Sequence, residues 1–221
     1  PPKNLFDLYT NFSRLHNPST LIHHFCGFNA FPPENLSRVA EFDKRPLRVC
    51  RAGNGEWKYD GACIDLKGVH TIITPAVESL QRQGYSVELH LADRKDGIIP
   101  HESMPGYYHS IDVYVCASTQ EGTPNPILEA MACGVPVIST DVGVVPEVFG
   151  EKQRAFIMPE RTPGALETLL KQLIEKPDLM QALSRENLGS VRPWDWDLGI
   201  RRYQEYFDYV LSGQMPDEGQ G

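Results

Sequence analysis

Two carboxylates, Glu121 and Glu129, bracket a loop of small residues and the opening of a very apolar helix. Residues 127–132 are apolar apart from Glu129, and a helix that is apolar all round is a buried one. A buried carboxylate is costly unless something donates to it. When ionised it offers only acceptors, so a pair of vicinal hydroxyls would satisfy it. Between the two acids, the backbone N–H groups of Gly122, Thr123 and Asn125 and the helix N-terminus form a ready anion site. Pro124 and Pro126 stiffen that loop and bring no N–H of their own. An anion flanked by two hydroxyl-rich groups is the layout of a sugar nucleotide: sugar, diphosphate, ribose. A purely structural account competes with this one. A glutamate in the first helical turn suits the helix dipole, and Asn125 before Pro126 is ordinary capping.

The elements that must position these acids follow from hydrophobic patterning. Val113 to Cys116 reads as a strand running into the loop, and Val135 to Ser139 as a strand running out after Gly134 ends the helix. Leu47 to Ala52 and Ser86 to Ala92 are further strands, and Ala155 to Met158 is expected to be a fifth. Lys67 to Gln83 has helical spacing, with Pro75 either kinking it or marking its true start and Gly84 closing it. Met104 to Ser110, Pro163 to Glu175, Pro177 to Asn187 and Trp196 to Leu211 also read as helices. Strands alternating with helices predict an α/β, doubly wound, Rossmann-like parallel sheet. Such sheets bind ligands at the carboxyl ends of their strands. The chain divides into an entry segment 1–45, a main α/β domain 46–212 and a polar tail 213–221.

Bulk properties narrow the field. The 221 residues carry a net charge of −8, which disfavours a nucleic-acid reader held by a basic surface. No apolar run approaches the ~20 residues of a membrane span, and no signal peptide is visible. Five scattered cysteines without a CxxC fit a reducing, cytoplasmic compartment. Cys116 and Cys133 read as small buried hydrophobes. The first residue is Pro1, as expected of a processed, trimmed or excised chain.

The run from Glu121 to Glu147, with its E-x7-E pattern, closely resembles the retaining, nucleotide-sugar-dependent glycosyltransferases of the GT-B fold, family 4-like (glycosyl transferases group 1). Weaker resemblance extends from about Ile22 to Leu211. It corresponds to the C-terminal, donor-binding half of such an enzyme. The resemblance implies that Glu129 holds the donor ribose and that Glu121 is the acid beside the donor sugar, with a catalytic role. It implies that Gly122, Thr123, Pro124 and Asn125 contact sugar and diphosphate, and that Lys67 is the phosphate-binding lysine. The family's usual arginine after the first strand is replaced here by Asn54, with Arg51 inside the strand as the other cationic candidate. The expected partners are a nucleoside-diphosphate sugar, an acceptor glycan or other hydroxyl compound, and an N-terminal acceptor domain or partner chain that these residues do not supply. No cofactor and no metal is expected.

Other motifs are explained by structure. His23 and His24 are adjacent and lack a further metal ligand. Asp195-Trp196-Asp197 imitates a metal-binding DxD but opens an amphipathic helix, where capping accounts for it. Gly53-Asn54-Gly55 is not a dinucleotide fingerprint. His109, beside Tyr107 and Tyr108, reads as packing. Two alternatives to transfer stay open from the sequence: a non-catalytic sugar-nucleotide-binding module, and a GT-B-type nucleotide-sugar hydrolase or epimerase.

Overall fold

The apolar runs form short strands because their β-branched and aliphatic side chains fit a surface buried on both faces. A computed structural model describes residues 26–41, 45–53, 57–60, 62–93 and 97–212. In chain order the strands are β1 (Leu47–Ala52), β2 (Trp57–Tyr59), β3 (Ala62–Ile64), β4 (Val87–Ala92), β5 (Val113–Cys116) and β6 (Val137–Ser139). Four of them make one parallel sheet in the order β4-β1-β5-β6, and β2 and β3 pair as a separate antiparallel hairpin. The helices are α1 (Asn35–Ala40), α2 (Thr74–Arg82), α3 (Met104–His109), α4 (Asn125–Ala132), α5 (Val145–Val148), α6 (Pro163–Glu175), α7 (Pro177–Ser190) and α8 (Trp196–Ser212).

Side-chain alternation splits the core into two layers. Val49, Val113, Val115 and Ile138 pack with Ile73, Val77 and Leu80 and with Leu166, Leu170 and Leu173 of α6. Cys50, Ala52, Tyr114 and Cys116 point the other way, onto Phe31, Tyr108, Ile127, Leu128 and Met131. Each fully buried aliphatic side chain in these layers contributes roughly 1.5–3 kcal/mol. The sheet is therefore doubly wound. From β1 the chain goes out to β4, then returns past β1 to β5, which sets a switch point between the carboxyl ends of β1 and β5.

Three local expectations are corrected. The helix starting at Lys67 begins instead as a π-turn, Val69–Ile73, and becomes α-helical at Thr74. Pro75 has no N–H and its ring crowds the carbonyl one turn back, so the turn before it widens. Asn125 does not cap α4: it is the first helical residue, Pro124 occupies the cap position, and no side chain caps this end. The fifth strand does not form. Gln153–Phe156 is a 3-10 turn, and only Ile157 bridges to Ser139. The buried Gln153 side chain takes the place of a strand, its Nε2 donating to the Val137 carbonyl at 2.5 Å and its Oε1 accepting the Val137 N–H at 3.4 Å. Gly84 ends α2 in the left-handed region at φ +88°, and Gly134 ends α4 at +81°. Cys116 and Cys133 are buried free thiols.

Of the entry segment, residues 26–41 and 45 lie in the described part. Phe31 and Val39 enter the two core layers. Cys26 is tied to the far end of the chain, its N–H donating to Trp194 O and its carbonyl accepting from Trp196 N–H. Residues 1–25, with His23 and His24, the tail 213–221, and Asn54 lie outside the described residues. No helix among the described residues is long and apolar enough to cross a membrane.

Candidate functional site

A cleft of about 420 Å³ opens at the switch point. Its walls are Arg51, Ala52 and Gly53 from the end of β1, Tyr114, Cys116 and Ser118 from β5 and its exit, Lys67, and Glu121 with Thr123–Pro126. Chain segments far apart in sequence thus meet where an open α/β sheet binds its ligands.

Lys67 is delivered by a tight turn. Gly68 adopts φ +72°, and a Cβ there would lie 2.6 Å from the Ala117 carbonyl, so only glycine lets this turn sit against the end of β5. Arg161 locks the contact, its Nε donating to Ala117 O at 2.7 Å and its NH2 to Asp65 O at 3.0 Å. Thr119 N–H adds a bond to Leu66 O at 2.9 Å. The Lys67 ammonium then pairs with Glu121 Oε1. The same oxygen accepts from Ser118 Oγ at 2.7 Å.

Asp65 removes one candidate anion site. Its carboxylate accepts the N–H groups of Val69, His70 and Thr71 at 2.7–2.9 Å, and also the Thr71 hydroxyl. Burial pushes this carboxyl up, but those donors outweigh burial and hold it below its usual range. The N-terminus beside Lys67 is therefore already satisfied. The other N-terminus is not. The N–H groups of Gly122, Thr123 and Asn125 make no hydrogen bond to any described residue. Their loop is fixed from behind, where Val144 N–H donates to Gly122 O at 3.1 Å. Asn125, freed from capping, lines the cleft.

Arg51 is 5% exposed. The one hydrogen bond its guanidinium makes among the described residues runs from NH1 to Gly53 O at 3.2 Å. A guanidinium carries five donors, and burying a cation with so few partners is costly unless an anion arrives. Nothing in the patterning of β1 marked this.

Glu129 is buried as expected, at 8% exposure, but it does not line the cleft. It sits between α4 and the segment leading into α3. Tyr108 Oη donates to its Oε2 at 2.7 Å, and His101 Nε2 stands 4.0 Å from Oε1. Burial raises the Glu129 carboxyl, while Tyr108 and His101 pull it back down. Gly122 also stays off the cleft wall, behind Thr123. His109 bonds Pro32 O at 2.8 Å and faces Glu34, a packing role. Asp195 accepts Asp197 N–H at 2.8 Å at the start of α8, as a cap does. Among the described residues, no cluster of three or more His, Cys, Asp or Glu side chains is arranged to hold a metal.

Ser118, Tyr108, Arg161 and Asp65 were not singled out by the sequence. Tyr108 and Arg161 act on partners distant in the chain, Ser118 bonds Glu121 three positions on, and Asp65 stands before Val69 and Thr71 at a recognisable capping position.

A four-stranded doubly wound sheet with a cleft at its switch point defines a Rossmann-like α/β domain. Residues 96–188 match the model of the family "Glycosyl transferases group 1". The chain is 30% identical over 138 residues to the putative teichuronic acid biosynthesis glycosyltransferase TuaC of Bacillus subtilis, a match covering 57% of this chain and 35% of that one. It spans well under half the length of the curated relatives it matches. Among solved structures, it is similar to the C-terminal domain of the group 1 glycosyl transferase LpcC from Francisella tularensis, with TM-score 0.58, 20% identity, and coverage of 75% of this chain and 96% of that one. It is also similar to Anabaena HepE in complex with UDP and glucose, with TM-score 0.66, 13% identity, and coverage of 95% and 62%. The match to glycosyl transferases group 1 thus lies on residues 96–188, and the fold is that of the C-terminal half of a GT-B glycosyltransferase.

Proposed function

We propose that this domain binds the nucleoside-diphosphate sugar donor of a glycosyltransferase, which passes the sugar to an acceptor hydroxyl with retention of anomeric configuration. The observation that carries the proposal is the meeting, across one cleft, of Lys67, the under-partnered Arg51 and the free N–H groups of Thr123 and Asn125. Together they supply fixed positive potential where a diphosphate's charge would sit, which is how leaving-group charge is stabilised without reorganisation. The structure of HepE with UDP and glucose, and the glycosyltransferase relatives, support the ligand class.

In this proposal Lys67 and Arg51, or Asn54 in place of the family's arginine, hold the phosphates. The loop of Gly122, Thr123, Pro124 and Asn125 closes on them. Glu121 lies beside the sugar, oriented by Lys67 and Ser118. Glu129 takes the ribose. No cofactor is invoked. The acceptor and an N-terminal acceptor-binding domain complete the site from outside these residues, in the cytoplasm.

Calorimetry with UDP, GDP and ADP, each against its bare nucleoside, tests this. Lys67→Ala should weaken the preferred diphosphate by about 10- to 150-fold, as expected for a charged hydrogen bond worth ~1.5–3 kcal/mol, and leave the nucleoside nearly untouched. Equal loss for both would refute the phosphate contact. Donor turnover without any acceptor would point to a hydrolase instead.

A further inference from the structure

Tyr108 donates the hydrogen bond that Glu129 Oε2 accepts, and neither patterning nor family resemblance gave it a role. It is wholly buried on α3, 21 positions before Glu129 in sequence. Its ring packs edge-on against Phe31 of the entry segment and lies 5.7 Å from that of Tyr107. That packing fixes the phenol, and the hydroxyl then bonds Glu129 Oε2 at 2.7 Å. A buried phenol needs a partner for its O–H, and a buried carboxylate needs donors. Each satisfies the other.

The bond also divides the carboxylate. Oε2 is engaged from the core side. Among the described residues, Oε1 has only His101 near it, at 4.0 Å, beyond hydrogen-bond range, and that imidazole is 72% exposed. We propose that Tyr108 is a positioning residue of the donor site, anchoring one oxygen of Glu129 so that Oε1 alone is presented to the ribose hydroxyls. The proposal rests on the ribose role given to Glu129 above. Tyr108 touches no substrate. It acts by fixing the carboxylate's plane and by favouring its ionised, accepting form, because a phenol O–H donated to a carboxylate stabilises the charge.

Among the described residues, the titratable groups that face Glu129 are few. Tyr108 and His101 come from the segment 101–109, Cys26 from the entry segment, and Cys133 from the end of α4. Burial pushes both thiols up to about 12, so they stay neutral at ordinary pH. The His101 imidazole stands 4.0 Å from Oε1, so the test is made in a His101→Gln background.

In that background, affinity for the tightest-binding of UDP, GDP and ADP is measured by calorimetry from pH 4.5 to 8 on the 221-residue chain. Binding should weaken as pH falls and Glu129 takes up its proton. Tyr108→Phe should weaken binding at pH 7.5 by about tenfold, the scale of one lost hydrogen bond to a charged group. It should also move the pH midpoint upward. Site-specific 3-fluorotyrosine at position 108, a stronger donor of the same shape, should move the midpoint downward, and it serves if the phenylalanine variant fails to fold. Glu129→Gln separates the two levels of the argument. If it binds as tightly as the background, the ribose assignment itself fails. If it loses affinity and pH dependence while neither Tyr108 variant moves the midpoint, Tyr108 is only a packing residue and the proposal is overturned.

Discussion

Replacing Gly143 with alanine should damage the loop that carries the free backbone donors. Gly143 sits at φ +52°, and a Cβ there would lie 1.9 Å from Gly122 O, 2.9 Å from its carbonyl carbon and 3.1 Å from Glu121 O. All three atoms are backbone, so no side chain can swing aside. The left-handed conformation costs a residue with a Cβ about 1–2 kcal/mol, and relieving an overpacked contact about 1–3 more. The sum, about 2–5 kcal/mol, corresponds to a fall in Tm of about 4–20 °C at this chain length. Restoring an ordinary contact means moving the Glu121–Thr123 backbone by roughly 1 Å, and a displacement of that size in positioning groups is worth up to about 10²-fold. Scanning calorimetry and nucleotide titration read the two effects separately. Gly164→Ala is the control: nothing lies within 4 Å of its Cβ and it is in a helix, so it should hold or gain about 0.5–1 kcal/mol. A Gly143→Ala protein with Tm within about 2 °C of the parent and undiminished UDP, GDP or ADP affinity would refute the steric argument.

Glu129→Gln should change the pH dependence of stability. Burial raises this carboxyl above its ordinary value of 4.5, so the folded chain holds the proton more tightly than the unfolded one. The stability this contributes is present below 4.5 and is lost as pH rises through the folded-state value. The glutamine variant should therefore lose less stability than the parent between acid and neutral pH, and parallel Tm–pH curves would contradict it. Gln153→Ala should cost about 2–4 kcal/mol in urea denaturation, because it orphans both the N–H and the carbonyl of Val137. Gln153 lines no part of the cleft, so a loss of nucleotide affinity without a loss of stability would be the wrong outcome.

What the sequence made legible was what local chemistry decides. β1 and β5 have the expected bounds because their side chains are buried on both faces and leave a continuous apolar signature. α6 begins and ends as expected because Thr162 caps it, accepting Ala165 N–H at 3.2 Å, and Pro163 opens it. The failures were cases where a distant partner overrode the local signal. Residues 155–158 have strand-like composition, yet the Gln153 side chain and the Glu186 carboxylate, which accepts the Lys152 and Gln153 N–H groups, hold the chain in a turn. Glu121 and Glu129 look like two sides of one loop in sequence. In space the first lines the cleft and the second does not, being bound to Tyr108. The pairing of Lys67 with Glu121 spans 54 positions and two strands, β4 and β5, and no spacing rule reaches that far. Family resemblance pointed to both residues, and the fold brings them together.

The Gln153 side chain has a consequence beyond the bonds it makes. β6 is the last strand of the sheet, and an open strand edge recruits further strands, from the same chain or from a neighbour. Here Val137 spends both its outward groups on an amide side chain, and Ser139 gives its carbonyl to Met158 N–H. An amide offers the geometry of a peptide group for one residue and then stops, so it caps the edge without creating a new one. On this flank the domain is guarded against intermolecular sheet growth by a single glutamine, and its loss would turn a closed border into a template for aggregation.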